Sequence, residues 1–205
     1  MPRPPLSDED LDATRARLLA AMAKLVAESG YAAFSMRQLA KEVGLTAGAL
    51  YRYFPTKHAL LVGYWSESIG ALQSELSQIA GDVADPRECL LKMARAYVAF
   101  ALQDRPRFRT MFLENDHGEL GEFGRSVALL APFHIFRDQV AAAIDAGALK
   151  PMAPDIAAQI LWASVHGVLT LAENIDPMDF GDVAGLADLA AQTTLAGLSQ
   201  PGPSK

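Results

Sequence analysis

Ser35-Met36-Arg37-Gln38-Leu39-Ala40-Lys41-Glu42-Val43-Gly44-Leu45-Thr46-Ala47-Gly48-Ala49-Leu50-Tyr51-Arg52-Tyr53-Phe54-Pro55-Thr56-Lys57 reads as two short helices joined by a tight turn. Ser35 with Gln38 three residues on fits a capping box, which satisfies orphan N–H groups at a helix start. Met36, Leu39, Ala40 and Val43 then share one helical face. Gly44 ends the helix where the turn needs a positive φ, which glycine tolerates. Thr46 can cap a second helix through Tyr53 and Phe54; Pro55 terminates it, and Thr56 can cap the next from Lys57. Ala40 is small where the two helices cross. Leu39, Val43, Leu45 and Leu50 are apolar, as needed to lock the pair onto a neighbouring helix. Thr46, Ala47, Gly48, Ala49, Arg52 and Tyr53 are left facing outward in varying degree. A small-residue front lets a helix approach base edges, and Ala or Thr methyls can touch thymine methyls. Thr46, Tyr51, Tyr53, Lys57 and the helix N-termini, Ser35 and Arg37 among them, can grip phosphates, which fixes register without reading sequence. This is the geometry of a helix-turn-helix. On spacing alone, an ordinary helical hairpin fits equally well.

Outward from this stretch the chain reads helix after helix. Residues 1–6 hold three prolines and read as a loose tail. Ser7 can cap a first helix, with Asp8, Glu9 and Asp10 where the helix dipole favours negative charge. Leu11, Leu18, Met22, Leu25 and Val26 recur at helical spacing, and Gly30 stops that helix. Downstream, 82–86 reads as a turn. A helix over about 87–102 buries Leu90, Leu91, Ala94, Tyr97, Val98 and Ala101. Pro106 restarts a helix with Phe108, Met111, Phe112 and Leu113. Residues 114–121 read as a loop. A helix follows to about 146, with Pro132 as a kink or break inside it and Gly147 as its stop. Pro154 or Asp155 opens a helix to about 175, and 180–198 makes the last. No alternating strand pattern occurs, so the expected fold class is all-α.

Composition bounds the function. The chain has 205 residues, 51% hydrophobic and 20% charged, enough for one or two cored domains and against disorder. Its single cysteine, Cys89, excludes a disulfide framework and a thiolate zinc cluster. Charged residues occupy the N-terminus where a signal peptide needs an apolar stretch. The uncharged run between Asp155 and Glu173 is polar and short for a membrane span. A cytoplasmic protein with no membrane partner is expected. The net charge is −6, unevenly split: residues 1–60 hold eight Lys/Arg against six Asp/Glu, four of those acids within the first twelve residues. Residues 61–205 hold ten against eighteen. A basic end on an acidic protein suits a chain that meets a polyanion at one end only, although random surface scatter gives the same numbers.

Other candidates weigh less. Glu114, Asp116 and His117 lie together, without the second cluster at ligand spacing that a metal site needs. Cys89 beside Leu90 and Leu91 fits a small core residue better than a redox sensor. Tyr97, Phe100, Phe108, Met111, Phe112, Phe133, His134, Phe136 and Trp162 can line an apolar pocket or fill a plain core. His166 fits a buried, hydrogen-bonded histidine better than a ligand contact. No phosphate loop, Ser-His-acid set or nucleophile motif is present, so neither enzymatic activity nor a cofactor is expected.

The stretch from Gly30-Tyr31-Ala32-Ala33-Phe34 through Lys57 resembles the N-terminal domain of TetR-family transcriptional regulators. The family pattern is a glycine, an aromatic, a Thr/Ser helix start, A-x-x-x-G-(apolar), then (apolar)-Y-x-(Y/H)-F-x-(S/T)-K, and every place is filled. His58 replaces the acidic residue common there. A second likeness runs through Arg105-Pro106-Arg107-Phe108-Arg109-Thr110-Met111-Phe112, Asp145-Ala146-Gly147-Ala148-Leu149, Pro154-Asp155 and Trp162-Ala163-Ser164-Val165-His166-Gly167. It is similar to a C-terminal domain of one TetR subgroup, marked by a Trp followed by His-Gly. The resemblance implies an all-helical homodimer: a tail (1–10), a three-helix DNA-binding domain (11–63), a helical effector-binding and dimerisation domain (64–199) and a short C-terminal tail (200–205). Its last two helices, about 155–198, would pair with a second copy. Two recognition helices, here about 46–53, would enter successive major grooves of a palindromic operator in double-stranded DNA. A small apolar or amphipathic effector would release the DNA, most often making the protein a repressor. Carried over by position, Thr46, Ala49, Tyr51, Arg52, Tyr53 and Lys57 become DNA contacts, and Leu50 and Phe54 become core. Tyr97, Phe100, Phe108, Met111, Phe112, Phe133, Trp162 and His166 are the effector-contact candidates. The competing expectation is a helical small-molecule- or partner-binding protein with lost or secondary DNA binding.

Overall fold

The computed structural model describes residues 8–113 and 127–200. Nine helices run through the described residues: α1 (Asp8–Ala33), α2 (Met36–Glu42), α3 (Ala47–Tyr53), α4 (Lys57–Asp82), α5 (Pro86–Gln103), α6 (Arg105–Phe112), α7 (Val127–Asp145), α8 (Pro154–Asn174) and α9 (Val183–Leu198). The only β pairing among them is an isolated bridge between Leu149 and Ser199. The all-α expectation holds. Ser7, the 114–121 loop and the Glu114, Asp116 and His117 cluster lie outside the described residues.

The chain forms two compact units. The first takes residues 8–67 with 106–113. Its core is made by Leu18, Met22, Leu39, Leu50 and Leu60, all at 0% exposure, with Phe34, Met36, Ala40 and Phe54. Full burial of each large side chain contributes about 1.5–3 kcal/mol. Ala40 is buried among them, as its small size at the α2–α3 crossing requires. Trp65 is anchored by its indole N–H, which donates to Thr110 Oγ1 at 3.3 Å. Gly63 allows close packing: a Cβ there would lie 2.9 Å from Cε1 of Phe54.

The second unit takes residues 68–105 with 127–200. Leu90, Val140, Ala143, Leu149, Ala157, Ala158, Leu161 and Leu195 form one cluster from α5, α7, α8, α9 and the 149 turn. Alanines on α7 and α8 let these helices approach closely. The end of α9 is clasped by Lys150, whose backbone N–H donates to Leu198 O at 2.8 Å and whose Nζ donates to Gly197 O at 2.7 Å. Cys89 is buried within this unit, and burial pushes its thiol pKa up, as suits an inert core residue.

Helix ends follow local chemistry. At Gly30 (φ +77) the first helix breaks, and Tyr31–Ala33 makes a further short turn. α7 ends in a left-handed Gly147 (φ +72), with Gly147 N–H returning to Ile144 O and Ala148 N–H to Ala143 O. Two expectations are corrected. Of the kink or break expected at Pro132, the break is absent: Pro132 lies inside a continuous α7. The last helix starts at Val183 rather than 180, because Gly181 is left-handed (φ +54) and the Asp182 carboxylate caps Gly185 N–H at 3.0 Å. α8 (21 residues) has the bounds expected of it, and although its uncharged run reads as polar and short for a span, the helix is long and apolar enough to cross a bilayer by length and composition. One of its faces, with Ala157, Ala158, Leu161, Val165 and Leu169, is buried in this unit.

Candidate nucleic-acid interface

Local bonds build the α2–α3 pair as its sequence predicts. Gln38 N–H donates to Ser35 Oγ at 3.3 Å, and Ser35 N–H donates to Gln38 Oε1 at 2.8 Å, completing the capping box. At the other end of α2, Gly44 N–H donates to Lys41 O and Leu45 N–H to Ala40 O. That double closure needs the left-handed residue that Gly44 supplies (φ +71). Thr46 Oγ1 accepts from Ala49 N–H at 3.2 Å and starts α3. Leu50 and Phe54 point into the core.

The remaining α3 residues form its outward face. Thr46, Gly48, Tyr51 and Arg52 are exposed, while Ala47, Ala49 and Tyr53 are half-buried. A Cβ added at Gly48 would meet nothing within 4 Å, so the front of α3 is open. Ser35 and Arg37 are exposed at the start of α2.

The basic residues of this unit divide into two groups. One group holds the fold. An Arg17 guanidinium N–H donates to Val43 O at 3.2 Å, and Lys24 pairs with Glu42 at 2.8 Å. The Glu42 hydrogen bond holds the Lys24 pKa above its ordinary value. Lys57 donates to Tyr31 O at 2.6 Å and lies 4.1 Å from the Tyr31 ring centroid. The second group is Arg37, Lys41 and Arg52. All three are exposed, and their side chains have no hydrogen-bond or ion-pair partner among the described residues. The small-residue front of α3 and these exposed cations of α2 and α3 are the kinds of group that base edges and phosphates call for.

Lys41 was not a sequence candidate, yet it stands exposed in the last turn of α2. The Arg17 and Lys24 ties were not foreseen either. Their seven-residue spacing sets both on one side of α1, a signal that could have located them against α2.

The effector-contact candidates separate. Phe108, Met111 and Phe112 belong to the first unit, with Phe108 buried and 5.1 Å from Phe112 between ring centroids. Tyr97, Phe100, Phe133, Trp162 and His166 come together in the second. Tyr97 Oη lies 2.7 Å from His166 Nδ1, and Trp162 is 5.2 Å from the His166 ring and 5.7 Å from Phe133. Phe100 stacks on Tyr97 at 6.4 Å. Burial pushes the Tyr97 hydroxyl well above its ordinary pKa and pulls His166 below 6.5, so the histidine is neutral at pH 7. Phe133 and Phe136 also pack on the second core. A separate groove of about 150 Å³, lined by Ala94, Val98, Ala99 and Ala187 beside the Arg95–Asp188 ion pair, has no aromatic wall.

Comparison with known proteins agrees with this geometry. Residues 18–63 match "Bacterial regulatory proteins, tetR family", and residues 90–194, more than half the chain, match "Tetracyclin repressor-like, C-terminal domain". An uncharacterised HTH-type transcriptional regulator, YerO of Bacillus subtilis, is 33% identical over 82 residues, covering 39% of this chain and 28% of its own length. The HTH-type transcriptional activator FasR of Mycolicibacterium smegmatis is 28% identical over 106 residues, covering 52% and 48%. The chain thus spans half or less of the length of these relatives. The fold is that of the Bacillus subtilis regulator FadR, solved in complex with stearoyl-CoA: TM-score 0.76, 18% identity, 89% of this chain and 98% of that one. The relatives are DNA-binding regulators of transcription and not enzymes, and by the matches over both units this chain belongs to the TetR family.

Proposed function

We propose that this protein is a ligand-responsive transcriptional regulator that binds a palindromic operator as a homodimer and represses by occupying it. The observation that carries this reading is the α2–α3 pair: an open front at Gly48 of α3, with Arg37, Lys41 and Arg52 exposed on the same two helices and their side chains without a partner among the described residues. Residues 11–63 are the DNA-binding part, acting in the cytoplasm, and residues 64–199 bind effector and dimerise. Dimerisation through α8 and α9 is supported by their exposed apolar side chains: Ile156, Ile160 and Leu171 on α8, and Leu186 and Leu189 on α9, the last 59% exposed. Such a patch on one side of a helix pair suits a second copy of the same surface. The acidic remainder repels DNA and confines contact to the heads.

The effector is apolar or amphipathic. The Tyr97, Phe133, Trp162 and His166 cluster supports this, with a neutral polar pair among aromatic rings. The bound stearoyl-CoA of the structural relative makes a long-chain acyl-CoA the first probe. A hundredfold weakening of DNA binding requires about 2.7 kcal/mol of differential affinity between the two states.

Selection of bound fragments from random DNA at two salt concentrations tests the reading. An enriched inverted repeat, with affinity falling steeply as salt rises, supports it. No enrichment, with weak binding even at low salt, refutes it in favour of a small-molecule- or partner-binding protein.

A further inference from the structure

We infer that Tyr97 and His166 make the aromatic cluster of the second unit selective for an effector with an uncharged carbonyl group, an ester, thioester, lactone or ketone, which accepts a hydrogen bond from His166 Nε2–H. The inference rests on residues 64–199 being the effector-binding part.

The tautomer follows from what each atom can do. Tyr97 Oη lies 2.7 Å from His166 Nδ1. With the histidine proton on Nδ1, that N–H would donate to Oη, and the phenol hydrogen would be buried away from the acceptor beside it, a costly arrangement. The reverse order has Tyr97 O–H donating to Nδ1 and sets the histidine proton on Nε2. Trp162 fits the same direction. Its indole N–H, a donor only, hydrogen-bonds the Tyr97 oxygen and opposes part of the rise that burial imposes on the hydroxyl pKa. Donation thus runs one way, from indole to phenol to imidazole, and each bond polarises the next. The chain ends on a donor, Nε2–H.

The polar groups of the cluster carry no charge. Burial keeps His166 below 6.5 and Tyr97 above its ordinary value, so both are neutral at pH 7. Lys92 and Arg95 on α5 and Arg137 on α7 are engaged with Glu88, Asp188 and Asp138. A carboxylate entering the cluster would exchange its water for neutral groups, and an ammonium would meet N–H donors. An uncharged carbonyl sheds less hydration and meets the donor it needs. The rings serve the rest of the molecule. Phe133, Trp162 and His166 are each half-buried, with Trp162 5.7 Å from Phe133 and 5.2 Å from His166 between ring centroids, so each keeps surface that an apolar chain can cover.

Two experiments on the full-length protein test this. Nitrogen NMR of the imidazoles, with the His166 signal identified by its loss in H166N, reads the tautomer. It should show a neutral His166 with its proton on Nε2, and Y97F should release the ring to a mixture of tautomers. Calorimetry then compares methyl hexanoate, methyl decanoate and methyl palmitate with the matching carboxylates and amines. At the chain length that binds, the ester should exceed its carboxylate and its amine by about tenfold or more. H166L should lose about 3- to 10-fold in ester affinity, and H166Q, which keeps an uncharged N–H donor, should retain part of it, with thermal melts fixing the folded fraction. Should H166L not fold, Y97F reads the same point, with a reduced ester preference in a protein that keeps its histidine. An Nδ1–H tautomer or an imidazolium at pH 7, a carboxylate or amine that binds as tightly as its ester, or full ester affinity in H166L overturns the inference. If neither these esters nor palmitoyl-CoA bind, the reading of residues 64–199 as the part that holds an apolar effector falls, and the inference with it.

Discussion

Gly48→Ala should act with opposite signs on the protein and on its complex with DNA. Gly48 lies in the first turn of α3, and a Cβ built there meets nothing within 4 Å. In the free protein the added methyl is harmless. Replacing a helical glycine by alanine also removes freedom from the unfolded chain, a gain of about 0.5–1 kcal/mol. For a chain of this length that raises Tm by about 1–4 °C. On DNA the same methyl enters the gap between the α3 backbone and the base edges. Overpacking by one methyl costs about 1–3 kcal/mol, which weakens binding by about 5- to 140-fold. Thermal melting of the free protein and equilibrium titration onto the selected operator measure the two effects separately. A raised Tm with unchanged affinity would refute the reasoning, because the α3 front would then not come within a methyl's reach of the bases. A lowered Tm would refute the account of the open site itself.

The other glycines and the second unit give contrasting expectations. Gly63→Ala puts a Cβ 2.9 Å from the Phe54 ring and should destabilise by about 1–3 kcal/mol despite the gain in helix propensity; a melt unchanged from wild type would contradict the packing. Gly44→Ala forces alanine into φ +71 and should cost about 1–2 kcal/mol by chemical denaturation, with DNA binding reduced because the turn that aims α3 is strained. Burial holds the His166 pKa below 6.5, so as pH falls through 6.5 the unfolded chain takes up a proton that the folded one resists. Stability tied to this residue is present above pH 6.5 and declines below it, and His166→Asn should flatten that part of the Tm–pH curve; equal curves would contradict it. Leu189→Glu with Ile160→Glu places charge on the exposed α8–α9 face and should yield monomers by sedimentation, whereas an intact dimer would move the interface elsewhere.

Features made by near neighbours were legible in the sequence. The Ser35–Gln38 box, the Thr46 cap and the Gly44 closure each join residues three to five apart, so residue type and spacing specify them. The buried side of α2 and α3, with Leu39, Ala40 and Leu50, followed from helical periodicity. The ties that cross the fold were not legible. Lys57 reaches a carbonyl 26 residues away, Arg17 another 26 away, and Lys24 an acid 18 away. A backbone carbonyl leaves no mark in residue type, so Lys57 reads from sequence as a free cation. The start of α9 was misread because Phe180 continues the apolar pattern while Gly181 and Asp182 interrupt the backbone. In the same way, one set of aromatic candidates proved to be divided between two compact units, a fact of topology that periodicity does not carry.

The central claim is that two α2–α3 faces read DNA together. Hydroxyl-radical footprinting of the selected operator tests it most directly. The account predicts two protected patches on one side of the duplex, with centres about 34–36 Å apart, one helical turn, as two heads in successive major grooves require. A single patch, or even protection along the whole duplex, would contradict it.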